Sequence, residues 1–176
     1  MKTSFLLLLQ FTGILSLIPV IKIVSSNNLM NLNSYNLRYD MTGIYLKFDF
    51  DSEMSFLPYE VYQIIVSEYS SEYVPCEQKN INFDGKEFEA FWCDREGIAF
   101  FSNLNLITEK YVIKINAADL FTVIDNEYYF RFISSRNIEN IVIDKNLSDL
   151  MKVELLDNDD FTIHNETFIY QFGDDD

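Results

Sequence analysis

The segment Cys76–Cys93, CEQKNINFDGKEFEAFWC, holds both cysteines of the chain and constrains its fold more than any other stretch. Asp84-Gly85 lies between two alternating runs, where an Asp-Gly step signals a two-residue type I′ hairpin turn. That turn sets Phe83 opposite Lys86, and the same register sets Cys76 opposite Cys93. Counted outward from the hydrogen-bonded Phe83/Lys86 pair, the cysteines reach a non-hydrogen-bonded site, where α-carbons stand about 4.5 Å apart. A disulfide tolerates about 4.4 to 6.8 Å, so one register serves both the turn and a bridge. It sends Ile81, Phe83, Phe88, Ala90 and Trp92 to an apolar face, and Gln78, Asn80, Asn82, Glu87 and Glu89 to a solvent face beside the cysteines. A redox pair is expected to use closer spacing at a helix start. A zinc site lacks ligands, because His164 is the only histidine.

Alternation dominates elsewhere. In GIYLKFDF, the residues Ile44, Leu46, Phe48 and Phe50 point one way while Tyr45, Lys47 and Asp49 point the other, the pattern of a half-buried strand. The same reading applies to Val61–Val66, Ile98–Phe101, Tyr111–Ile115 and Tyr128–Ile133, then to Ile141–Ile143, Met151–Leu155 and Thr167–Phe172. Only Ala117–Leu120 and Asn146–Met151 suggest a helical turn. Many short strands with polar breaks predict an all-β fold, an antiparallel β-sandwich stapled by one disulfide within a hairpin.

The chain opens with Lys2 and an apolar run from Phe5 to about Ile18, and reaches small residues at Ser25 and Ser26. That layout is a secretory signal peptide over 1–26, with processing expected before Asn27. Residues 27–133 are then expected to form the sandwich, and 134–176 to add strands that pack on it and an acidic C-terminal tail. No later run approaches the ~18 apolar residues of a membrane span. Sixteen Phe and eleven Tyr provide large side chains for a core, and one domain fits the length.

Charge narrows the function. Thirteen basic and 28 acidic residues give −15, and loss of Lys2 and Lys22 with the leader takes this to −17. Such a field repels nucleic acid and anionic lipid and accelerates encounter with a basic protein. Acidity of this size also serves solubility alone.

Leu104, Leu106 and Thr108 precede Tyr111-Val112-Ile113-Lys114-Ile115-Asn116-Ala117, a run that resembles strand F of fibronectin type III domains. Leu46-Lys47-Phe48 resembles strand B of that family, and Tyr62-Gln63-Ile64-Ile65-Val66 its strand C. The resemblance implies an immunoglobulin-like sandwich in which Tyr111 is a corner tyrosine with a structural role.

Catalytic chemistry is sparse. His164, in FTIHNET, alternates like a strand residue and reads as a surface side chain. No phosphate loop, HExxH motif or Cys/His cluster occurs. Carboxylates gather at Asp49, Asp51 and Glu53, at Glu154, Asp157, Asp159 and Asp160, and at Asp174–Asp176. Calcium takes oxygen ligands, but the 157–160 loop lacks the EF-hand spacing and its glycine, so a solvated loop is the expectation and no metal or cofactor is assigned. Asn146-Leu147-Ser148 and Asn165-Glu166-Thr167 are glycosylation sequons. The expectation is therefore a secreted, non-catalytic protein that binds a basic partner of chemokine or heparin-binding cytokine type through Glu87, Glu89, Asp157, Asp159 and Asp160. The alternative is a structural or adhesion component of a surface coat of a parasite or virus, with exposed aromatics on 60–73 packing against neighbours. A carboxylate-based hydrolase ranks third.

Overall fold

The structure, a computed structural model, describes residues 17–25, 37–40, 42–69, 76–157 and 160–171. In chain order, β1 (Ile18–Pro19), β2 (Lys22–Ser25), β3 (Leu37–Asp40), β4 (Tyr45–Phe48) and β5 (Ser55–Phe56) precede helix α1 (Tyr59–Tyr69). Strands β6 (Cys76–Phe83) and β7 (Lys86–Cys93) lead to α2 (Arg95–Ile98), β8 (Leu104–Ile107) and β9 (Tyr111–Ile115). A 3₁₀ turn (Ala117–Leu120), β10 (Phe121–Ile124), β11 (Glu127–Phe130), β12 (Phe132–Ile133) and β13 (Ile141–Ile143) follow. Helix α3 (Lys145–Met151), β14 (Val153–Leu155), β15 (Phe161–Ile163) and β16 (Ile169–Gln171) complete the described chain.

The fold is all-β and sandwich-like, built from several packed sheets whose pairings are mostly antiparallel. One fully antiparallel sheet runs β16-β9-β8-β2-β3, and a second runs β10-β11-β7-β6. A third, β1-β4-β13-β5-β12, is mixed: β13 lies parallel to β4, and β12 parallel to β5. Strands β14 and β15 form a small ribbon. A single main core runs from Val20 through Leu46, Tyr62, Phe91, Ile113 and Ile143 to Phe168, so segments on both sides of residue 133 share it.

The hairpin forms in the expected register, Cys76 facing Cys93 and Phe83 facing Lys86. Asp84 and Gly85 have φ of 50° and 71°, the two positive values a type I′ turn demands. The cysteines are joined, with α-carbons 4.0 Å apart. The face assigned to solvent is a correction, however. Phe88 and Ala90 pack in a satellite cluster with Ile133, yet Phe91 and Cys93, on the opposite face, are fully buried in the main core. Strand β7 lies between β6 and β11, and α1 reaches its cysteine face near Glu89.

Several expected strands differ; Tyr128–Ile133, for one, breaks at Arg131 into β11 and β12, which join different sheets. Val61–Val66, including the segment matched to strand C, is helical in α1: Val61, Tyr62, Ile65 and Val66 are all buried, a spacing that makes one helix face. Pro58 precedes the helix and its carbonyl accepts the N–H of Tyr62 at 2.9 Å. Tyr62 is fully buried, which also removes it from the exposed aromatic patch expected on 60–73. At Ile98–Phe101 the chain is the end of α2 and a turn, because Asp94 caps that helix by accepting the Gly97 N–H at 2.8 Å. Met151 ends α3, so only Val153–Leu155 of the expected Met151–Leu155 is extended.

Strands β1 and β2 occupy residues that read as leader in the sequence. Strand β1 pairs with β4, and β2 lies between β3 and β8. Between them Val20 N–H donates to the Ile44 carbonyl at 3.0 Å and Ile21 N–H to the Ile107 carbonyl at 2.7 Å. One short stretch therefore stitches two sheets together. Val20, Ile23 and Val24 are 3%, 0% and 1% exposed. Burial of such side chains stabilises by about 1.5–3 kcal/mol each, a large share of the ~5–15 kcal/mol that holds an entire domain.

Candidate functional site

The hairpin tip is held against the loop that follows β4. Phe83 packs on Phe88, ring centroids 6.4 Å apart, and both belong to the satellite cluster that contains Met54 and Phe56. The loop itself is fixed by its backbone. Asp49 N–H donates to the Ile143 carbonyl at 2.9 Å, and Lys145 N–H donates to the Ser52 carbonyl at 3.1 Å. Asp49 Oδ1 accepts the Asp51 N–H at 3.1 Å, and Ser52 Oγ donates to the Met54 carbonyl at 2.6 Å. Between loop and tip lies an open cleft of ~570 Å³ lined by Asp49, Asp51, Ser52, Glu53, Phe83 and Asp84.

Among the described residues, four carboxylates and no cation line this cleft. Burial alone would raise the Asp49 pKa, but the Lys47 ammonium, 2.9 Å from Oδ2, and the N–H groups of Asp51 and Ser52 outweigh it and hold the carboxyl below its ordinary value. Asp49 is thus firmly ionised. The cleft offers negative charge on an ordered loop, suited to an ammonium or guanidinium group brought by a partner. Asp84, read in the sequence only as a turn residue, joins the loop carboxylates here, and no spacing rule links it to Asp49.

Of the sequence-predicted contacts that are described, Glu87 and Glu89 lie on β7, while Asp157 and Asp160 lie between β14 and β15. Glu87 is exposed on β7. Glu89 is half-buried, its carboxylate accepting from Gln63 Nε2 and, at 3.4 Å, from Tyr59 Oη of α1, while its backbone bridges to Ser134. It ties the helix to the sheet rather than facing solvent. Asp157 is exposed, and Asp160 is half-buried with Oδ1 accepting the Phe161 N–H at 2.9 Å and Oδ2 3.8 Å from Lys110 Nζ. Asp159 and Asp174–Asp176 lie outside the described residues. Beside Glu89, burial first and then the charge of Glu89 push the Tyr62 phenol well above its usual pKa.

His164 is exposed, with Nε2 2.8 Å from Glu154 Oε2 across the β14–β15 ribbon. Asn146 is exposed on α3, although Ser148 of its sequon is buried. Asn165 is half-buried; Nδ2 donates to the Leu150 carbonyl at 2.9 Å, and Oδ1 accepts from Thr167 Oγ1 at 2.9 Å. Among the described residues no helix is long and apolar enough to cross a membrane. The Tyr111 ring packs on Phe161 at 5.1 Å, and its backbone N–H donates to Thr108 Oγ1 at 3.0 Å. No family model matches the chain, and no curated protein matches it by sequence.

Proposed function

We propose that this is a secreted, non-catalytic binding protein that engages a basic protein partner through the acidic cleft beside the hairpin tip. The observation that carries the reading is the convergence of Asp49, Asp51, Glu53 and Asp84 on one cleft with no lining cation among the described residues, in a chain of net charge −15. The disulfide fits an oxidising compartment. Complementary charge gives such a surface on-rate and selectivity for partners rich in Lys and Arg. The test is binding to immobilised basic secreted proteins of chemokine type, with the chain compared against Asp49→Asn, Asp51→Asn, Glu53→Gln and Asp84→Asn combined. Loss of binding in the combined variant supports the reading; equal binding by both proteins contradicts it.

A surface or assembly component is the second reading. It is favoured by β10, an edge strand without charged residues whose Val123 and Ile124 are exposed, the kind of edge that pairs with another chain. Sedimentation at high concentration separates the readings, since a strictly monomeric protein disfavours assembly.

A further inference from the structure

We propose that the β10 border of the hairpin sheet is where two copies of this chain pair about a two-fold axis; the proposal rests on the assembly reading above and deepens it. In the sheet β10-β11-β7-β6 the two edges are built differently. Strand β6 carries Glu77 and Lys79, charges that blunt an edge, whereas β10 reads FTVI and carries none. Ile124 and Glu127 flank the two-residue turn Asp125-Asn126 and form a hydrogen-bonded pair. The Leu120 carbonyl accepts the Arg131 N–H at 2.7 Å in the same phase. Alternation then turns the N–H and carbonyl of Val123 away from β11, and among the described residues neither has a partner.

Apolar surface gathers at the same border. Val123 and Ile124 are exposed, and so is Phe100, next to Phe101, whose ring packs on Phe121 of β10 at 4.8 Å. Charge and symmetry identify the occupant. A net charge of −15 draws a basic protein to the carboxylates, while two like-charged copies approach with least repulsion along an uncharged strand. Antiparallel pairing centred on Val123 is self-complementary. The two Val123 residues exchange both N–H···O bonds, and Thr122 of each copy faces Ile124 of the other, cross-strand pairs that stabilise a sheet. Closure at two copies also removes the free edge. The acidic cleft lies at the Asp84 end of the hairpin, whereas β11 joins β7 at the Cys93 end, so the two surfaces stay separate.

Sedimentation of the purified full chain across a concentration series, at low and at high salt, tests this. The strand is four residues long, so a weak dimer is expected. It should strengthen with salt, because screening relieves repulsion between two anionic chains; binding at the acidic cleft runs the opposite way. Val123→Pro deletes the outward N–H and spares the bonds to β11, and should weaken the dimer on the order of tenfold for two lost ladder bonds. Val123→Lys, at an already exposed position, is an independent variant and should weaken it likewise. A monomer at every concentration overturns the pairing and the assembly reading together. A dimer that both variants leave intact, or growth beyond two copies, overturns the β10 pairing and leaves assembly standing.

Discussion

Asp144 shows how much a single buried polar side chain can organise. It is 1% exposed, yet its carboxylate accepts from Ser55 Oγ at 2.6 Å and from the Leu147 N–H at 2.9 Å, while its own N–H donates to Ser55 Oγ at 3.0 Å. It caps α3 and ties that helix start to β5. Asp144→Ala removes a cap and strands the Ser55 hydroxyl, so a loss of about 2–4 kcal/mol in urea denaturation is expected. Ser55→Ala should lose less, since the cap survives. Asp49 gives a pH signature instead. Its folded pKa lies below its ordinary 3.8, so its stabilising effect is present above that value and fades as pH falls through the folded one. Asp49→Asn should therefore flatten the stability curve in that acid window and leave its shape near neutrality unchanged; an unaltered acid limb would contradict the Lys47 pairing. Neither role was legible in the sequence: Ser55 and Asp144 are 89 positions apart, and the bond depends on how β5 and β13 meet.

Elements were legible where turn chemistry or covalent geometry restricted them. The hairpin followed from Asp84-Gly85 and the cysteine spacing, and its pairing matches residue for residue. Opening the bridge with Cys76→Ser and Cys93→Ser should lower stability by roughly 3 kcal/mol, the chain-entropy value for a loop of this size, and reductant should reproduce the loss in the parent chain. A second tight turn at Asp125-Asn126, with φ of 51° and 65°, carried no glycine and went unread. Helix α1 stands where a strand is expected because VYQIIV, apolar but for Gln63, is a short run in which period alone does not separate a buried strand from a buried helix. Strand β2 is hidden for another reason: the stretch Val20–Val24 continues the apolar N-terminal run with little break in composition. Ile23→Ala should cost about 2–5 kcal/mol, since β2 is an interior strand and Ile23 is fully buried; a change near zero would contradict that placement.

At the scale of the molecule, sheet class and acidity were readable from the chain, while the mixed sheet and the shared core were not. Parallel insertion of β13 beside β4 joins residues about a hundred positions apart, a pairing that no local pattern announces. The carboxylate cleft is of the same kind: composition gave the charge, and tertiary packing of Phe83 against the satellite cluster gave its location. Charge of this sign acts chiefly on encounter, because attraction extends only about 10 Å at 0.1 M salt and weakens as salt rises. The most direct test is therefore the association rate with a basic partner measured across ionic strength for the parent chain and for the chain with Asp49, Asp51, Glu53 and Asp84 neutralised. The account predicts a rate that falls on the order of tenfold or more with added salt in the parent and a clearly shallower fall in the variant; a salt-independent rate, or the same slope in both proteins, would contradict it.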